Sequence, residues 1–134
     1  TMLKINLKVS FLNNLPRREL VRTIKSSQIF CLPSEVEGFG ISIIESAAAG
    51  VPYVISDIPV FREVTKNGHG GLIFKLGDFK DLSSKIERLL TDKNLYARKS
   101  KEALNLAQNY QWTVIANQTE ALYQSLLSKN TRVA

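Results

Sequence analysis

Cysteine, histidine, tryptophan and methionine each occur only once in this chain of 134 residues. A lone cysteine, Cys31, excludes an internal disulfide and suits a reducing compartment. It lies within "IFCLP", where a buried small hydrophobe is the expected role. No apolar run approaches the roughly 20 residues needed to span a bilayer, so no transmembrane helix is expected. No signal-peptide pattern of basic, apolar and small residues is visible at the start, and a cytoplasmic setting is the expectation. No basic stretch is interleaved with stacking aromatics and no nucleic-acid motif occurs, so nucleic acid is not an expected partner.

Acidic residues are scarce at both ends of the chain. The formal net charge is +6. Residues 1–33 hold six basic side chains and one acidic, residues 34–64 one and five, and residues 65–134 eleven and six. An acidic middle therefore sits between basic flanks. Such flanks suit phosphate-bearing ligands, or peripheral contact with the anionic inner face of a membrane. A lysine-rich solvated surface is the plain alternative.

What is present in quantity is alternation. Four apolar, β-branched runs predict strands: "LKVSFL" (7–12), "QIFCLP" (28–33), "PYVIS" (52–56) and "GLIF" (71–74). Helical patterns separate them. "RRELVRTIKS" follows Pro16, "ISIIESAAAG" stops at Gly50 and Pro52, and "PVFREVTKNG" closes on Asn67-Gly68. Beyond Gly77 the pattern is wholly helical, with Asp78 as a candidate N-cap. The fold class expected is α/β: a Rossmann-like parallel sheet of about four strands flanked by helices, with an all-helical C-terminal region. Open α/β sheets commonly hold about five or six strands. The whole span 1–134 is therefore expected to form one incomplete domain, the back part of a larger one.

The candidate site is the stretch "EGFGISIIESAAAG", beginning at Glu37. Gly38 and Gly40 resist helix and suit a tight loop where backbone comes close to a ligand. A helix starting near Ile41 offers free N–H groups and the positive end of its dipole to a phosphate. At 100° per residue, Ser42, Glu45, Ser46 and Ala49 share one arc. Glu45 stands about 6 Å beyond Ile41 along the axis, within reach of a ribose beside that phosphate. Glu37 can meet hydroxyls on the other side. Spacing alone leaves a second reading open, in which Glu45 faces water and Glu37 decorates a turn.

"LPSEVEGFGISIIESAAAGVPYVIS" resembles the signature of the group 1 glycosyltransferases (glycosyltransferase family 4, GT-B fold). The similar features are the E-x7-E pair Glu37 and Glu45, the Gly-Phe-Gly between them, and Ala-Gly-x-Pro after the helix. The likeness runs from about Val9 to Leu127. It implies the C-terminal, donor-binding part of a retaining transferase that moves a sugar from a nucleotide-sugar to an acceptor. By that resemblance Glu37 lies beside the transferred sugar as the catalytic candidate, and Glu45 binds the donor ribose. Gly38, Phe39, Gly40, Ile41 and Ser42 line the rest of the donor site. No metal or other cofactor is expected, since amides and the helix start would meet the departing diphosphate.

Asn13 departs from the glycine usual in the family at that turn. The family's diphosphate-clamping basic residues, its glycine-rich loop and its acceptor-binding N-terminal domain belong to segments absent here. An uncovered sheet edge would then allow self-association. Two other readings stay open: a GT-B-shaped nucleotide-sugar epimerase, and a non-catalytic nucleotide-binding or interaction domain.

Outside the motif, His69 reads as a loop tip, and Asp57 and Glu63 as local hydrogen-bonding groups or cleft residues. Ser34 reads as a loop cap or a nucleotide contact, and Tyr110 and Trp112 as anchors for the last helix. The expectation for activity is direct. This chain alone should show no sugar transfer from nucleotide-sugars, and turnover in a radiolabelled-donor assay would contradict that.

Overall fold

The computed structural model describes residues 9–130. The expected alternation is there. Helix α1 (Arg17–Ser26) leads to strand β1 (Phe30–Leu32), α2 (Ile41–Ala48), β2 (Tyr53–Ser56), α3 (Pro59–Val64) and β3 (Gly71–Phe74). Helices α4 (Phe79–Thr91), α5 (Lys93–Gln108) and α6 (Trp112–Asn130) follow. The strands form a parallel sheet in the order β1-β2-β3, with Phe30 opposite Tyr53 and Tyr53 opposite Gly71.

All four residues of the central strand β2 are buried, as a strand covered on both faces requires. Tyr53 and Ile55 point into one core with Ile43, Ala47, Phe61, Ala103 and Leu106. Val54 points the other way, into a smaller core with Phe74, Leu89 and Leu95. Phe61 and Ile43 are fully buried, each contributing about 2–3 kcal/mol by loss of apolar surface from water. Helix α4 starts on Asp78, whose carboxylate accepts from the N–H groups of Lys80 and Asp81. Asp92 does the same for Leu95 at the start of α5.

Tyr53 fixes the contact between β2 and β3. Its hydroxyl donates to the His69 carbonyl, and burial, with the Glu102 carboxylate adding to it, pushes the phenol far above its ordinary pKa. Gly71 sits against the ring so closely that a Cβ there would overlap it. The turn before β3 is clamped to α5: Lys99 Nζ donates to the Gly68 carbonyl at 3.0 Å and to Glu102 at 2.8 Å. Glu102 also accepts from the Gly70 N–H at 3.1 Å. Gly70 has φ +96°, and a Cβ there would lie 2.6 Å from the Ala103 Cα.

Three sequence expectations differ from the structure. The sheet has three strands among the described residues, not about four. Of the expected strand 7–12, residues 7 and 8 lie outside the described residues, and Val9–Leu12 carries no strand, with Phe11 exposed. A strand exists only through a neighbour's hydrogen bonds, and none of the described residues pairs with Val9–Leu12. Cys31 is exposed, not buried. It shares the sheet face of its partner Val54 but sits on the edge strand, beyond the smaller core that α4 and α5 build over Val54. Trp112 is 87% exposed and anchors nothing in the body of the domain. Tyr110 does anchor, donating from its hydroxyl to the Val64 carbonyl at 2.8 Å.

Replacing Gly71 with Ala should lower stability by about 3 kcal/mol or more, because the Tyr53 ring has nowhere to retreat. Urea midpoints of the two proteins check this, and an unchanged midpoint would refute the packing described.

Candidate functional site

The loop between β1 and α2 is held at both ends. At its start, the buried Ser56 hydroxyl, on the last residue of β2, donates to the Ser34 carbonyl. The Ser34 hydroxyl in turn donates to Glu37 Oε1 at 3.0 Å. Of the two roles open to Ser34, the structure shows the loop-bracing one. At the other end, Phe39 meets the Tyr110 ring edge-on, with centroids 5.6 Å apart and planes at 79°. Glu37 is thus half-buried and oriented, between two fixed points.

The two glycines of the loop differ. Gly40 is the N-cap of α2 at φ +86°, and a Cβ there would lie 2.9 Å from Phe61 Cε1 and 3.0 Å from Ile43 Cδ1. Its lack of a side chain is what lets the helix start against the core. Gly38 is different, because a Cβ at that position would meet no atom within 4 Å. Nothing inside the described protein asks for glycine there.

No side chain caps α2. The first turn closes with the Ile43 N–H on the Gly40 carbonyl at 2.9 Å. The N–H groups of Ile41 and Ser42 find no acceptor among the described residues, so two donors and the positive end of the helix point outward together.

The helix is turned differently from the arc drawn on the sequence. Ser46 is fully buried, its hydroxyl donating to the Val51 carbonyl at 2.8 Å. Ile43, Ser46 and Ala47 form the buried side. The open side carries Ile41, Glu45 and Ala48, with Ser42 and Ala49 at its margin. Glu45 therefore sits in the middle of the open side, 25% exposed.

Arg17, at the start of α1, donates from Nη1 to Glu45 Oε1. The sequence gives no sign of this pair, which spans 28 positions. The pair does not close the site. A surface hollow of 170 Å³ opens beside it, walled by Val21, Ile24, Ala48 and Ala49 and edged by Arg17, Lys25 and Glu45. The Arg17 side chain is 71% exposed, so solvent competes for it and the link is a weak one.

The remaining candidates stand apart. Asp57 is held by Arg62, whose Nη2 donates to Oδ2 at 2.6 Å, and that hydrogen bond holds the carboxyl below its usual range. Glu63 is exposed. His69 lies on its loop with Nδ1 at 3.8 Å from Glu102 Oε2. Among the described residues, no three His, Cys, Asp or Glu side chains are grouped to hold a metal ion. No helix among them is long and apolar enough to cross a membrane.

Residues 1–106 match the family model described as "Glycosyl transferases group 1". A phosphatidyl-myo-inositol mannosyltransferase of Mycobacterium leprae is 29% identical over 126 residues, covering 93% of this chain and 34% of that protein. An N,N'-diacetylbacillosaminyl-diphospho-undecaprenol alpha-1,3-N-acetylgalactosaminyltransferase of Campylobacter jejuni is 36% identical over 111 residues, covering 83% and 30%. Among solved structures, the sucrose-phosphate synthase of Thermosynechococcus elongatus superposes with a TM-score of 0.78 at 25% identity, covering 90% of this chain and 30% of that one. The chain spans about a third of the length of the curated relatives it matches.

The contrast between the two glycines is testable on stability alone. Gly40→Ala should cost about 1–3 kcal/mol, from a strained φ and a crowded Cβ. Gly38→Ala should stay within about 0.5 kcal/mol of wild type. Equal shifts of the two urea midpoints would contradict this account of the loop.

Proposed function

This chain belongs to the group 1 glycosyl transferase family and has its GT-B type of fold, and on that footing we propose that it is the donor-binding part of a retaining glycosyltransferase. In this reading residues 1–134 are the incomplete C-terminal, nucleotide-sugar-binding domain. The acceptor is held by an N-terminal domain outside this chain.

The observation that carries the reading is the pair of unclaimed N–H groups at Ile41 and Ser42, with Glu37 ahead of them and Glu45 one turn further in. A diphosphate docks on those donors and the helix end. Glu45 then accepts hydrogen bonds from the ribose hydroxyls, the exposed Arg17 guanidinium giving way. Gly38 leaves open space beside its backbone for a ligand to approach, and Phe39, Gly40 and Ile41 complete the wall. Glu37, aligned by Ser34, lies beside the transferred sugar as the catalytic candidate. It stabilises positive charge as the bond to the diphosphate breaks on the face where the new bond forms.

The departing diphosphate is stabilised by fixed dipoles rather than by an ion, so metal-independent transfer is part of the proposal. So is a cytoplasmic setting with peripheral contact at the inner face of the membrane. The outer edge of β1 has no partner among the described residues. In this reading an upstream strand of the whole domain covers that edge, and self-association follows where it is left bare. The family match favours transfer over the epimerase and the non-catalytic alternatives.

Titrating UDP, GDP, ADP and their sugar conjugates against the chain by calorimetry tests the site. At least one diphosphate should bind wild type, and Glu45→Ala should weaken it by about tenfold or more, the value of a charge-assisted hydrogen bond. Gly38→Ala should weaken it as well while leaving the fold intact. Equal affinity in all three proteins would remove the site from this face.

A further inference from the structure

One face of α1 is left over by both the core and the candidate donor site. At 100° per residue, Leu20, Ile24 and Val21 fall within an arc of about 100°. All three are half-buried on the side that packs against α2. Arg18, Arg22 and Lys25 fall within a separate arc of about 60°, and all three are exposed. None of the three forms an ion pair with a described residue. The helix's one acid, Glu19, lies outside that arc. Elsewhere Arg62, Lys85 and Lys99 are each matched by a nearby carboxylate. The exposed Lys66, Lys75, Lys80, Arg88, Lys93 and Lys101 form no ion pair with a described residue either, but they are spread over two loops and two helices.

We propose that the Arg18–Arg22–Lys25 face of α1 seats the protein on an anionic bilayer surface. The cations lie in a row about 10 Å long on one rigid helix. Arg18 and Arg22 are both exposed, so the row suits a spread of headgroup charge rather than a single phosphate. Each cation held near such a surface adds to binding until salt screens it. The row carries no aromatic side chain on which bases could stack, which argues against single-stranded nucleic acid. Lys25 also edges the hollow beside Glu45, so the contact would hold that hollow close to the bilayer. This last point rests on the donor reading, and the contact itself does not.

Sedimentation of the 134-residue chain with vesicles tests the proposal. One set contains equal parts of phosphatidylcholine and phosphatidylglycerol, the other phosphatidylcholine alone. The chain should sediment with the first set only, and added salt should release it. Arg18→Glu/Arg22→Glu/Lys25→Glu should weaken the partition by about a hundredfold. Lys80→Glu/Lys93→Glu/Lys101→Glu, with the same change of net charge on other exposed sites, should stay within about threefold, since the α1 row is intact. If circular dichroism shows the first triple variant unfolded, Arg18→Gln/Arg22→Gln/Lys25→Gln decides in its place.

Three results would overturn the proposal: no binding to the anionic vesicles, equal losses in the two triple variants, or duplex DNA binding the chain as tightly as the anionic vesicles do. The nucleotide titration is read on the same wild-type sample. Vesicle binding without nucleotide binding would leave this face standing and remove only the donor site.

Discussion

A left-handed residue at the mouth of α2 is the constraint on which the site depends. Gly40 turns the chain at φ +86° with no room for a methyl against Phe61 and Ile43. The first N–H groups of any helix lack intrahelical partners. With no side chain capping this one, those of Ile41 and Ser42 find no acceptor among the described residues. Because the same turn is pressed onto the core, those groups have a fixed direction. The core sets the direction in which the site faces, and electrostatics makes that direction useful.

The loop ahead of the turn is braced by quite ordinary contacts. Ser56 holds Ser34, Ser34 holds Glu37, and Tyr110 holds Phe39. These are small interactions individually, about 1 kcal/mol each. Gly38 is held by none of these contacts, and a Cβ there would meet no atom within 4 Å. A carboxylate kept in place by such a frame needs little reorganisation when charge develops near it.

Much of this was legible in the residues themselves. Element order, helix starts at Ile41 and Asp78, and the parallel sheet follow from period, capping and punctuation. What escaped depended on facts that a linear pattern does not carry. The Arg17–Glu45 pair joins two helices whose separation no local rule encodes. Cys31 sits in an apolar string, yet its burial turns on how far the helices covering Val54 extend over the edge strand. Ser46 looks like a member of a polar arc, but the position of the sheet decides which way α2 faces, and it turns that hydroxyl inward. The stretch 7–12 has the composition of a strand, yet its described part, Val9–Leu12, joins no ladder among the described residues.

Helix α6 leaves the body of the domain with its large side chains in water, Trp112 and Tyr123 among them. Since Trp112 is the only indole in the chain, the molecule's fluorescence comes chiefly from the start of α6, two residues beyond the Tyr110 ring that meets Phe39. A blue shift of its emission would therefore signal that the exposed indole has been covered. The protein thus carries its own optical reporter for whatever comes to cover the start of α6.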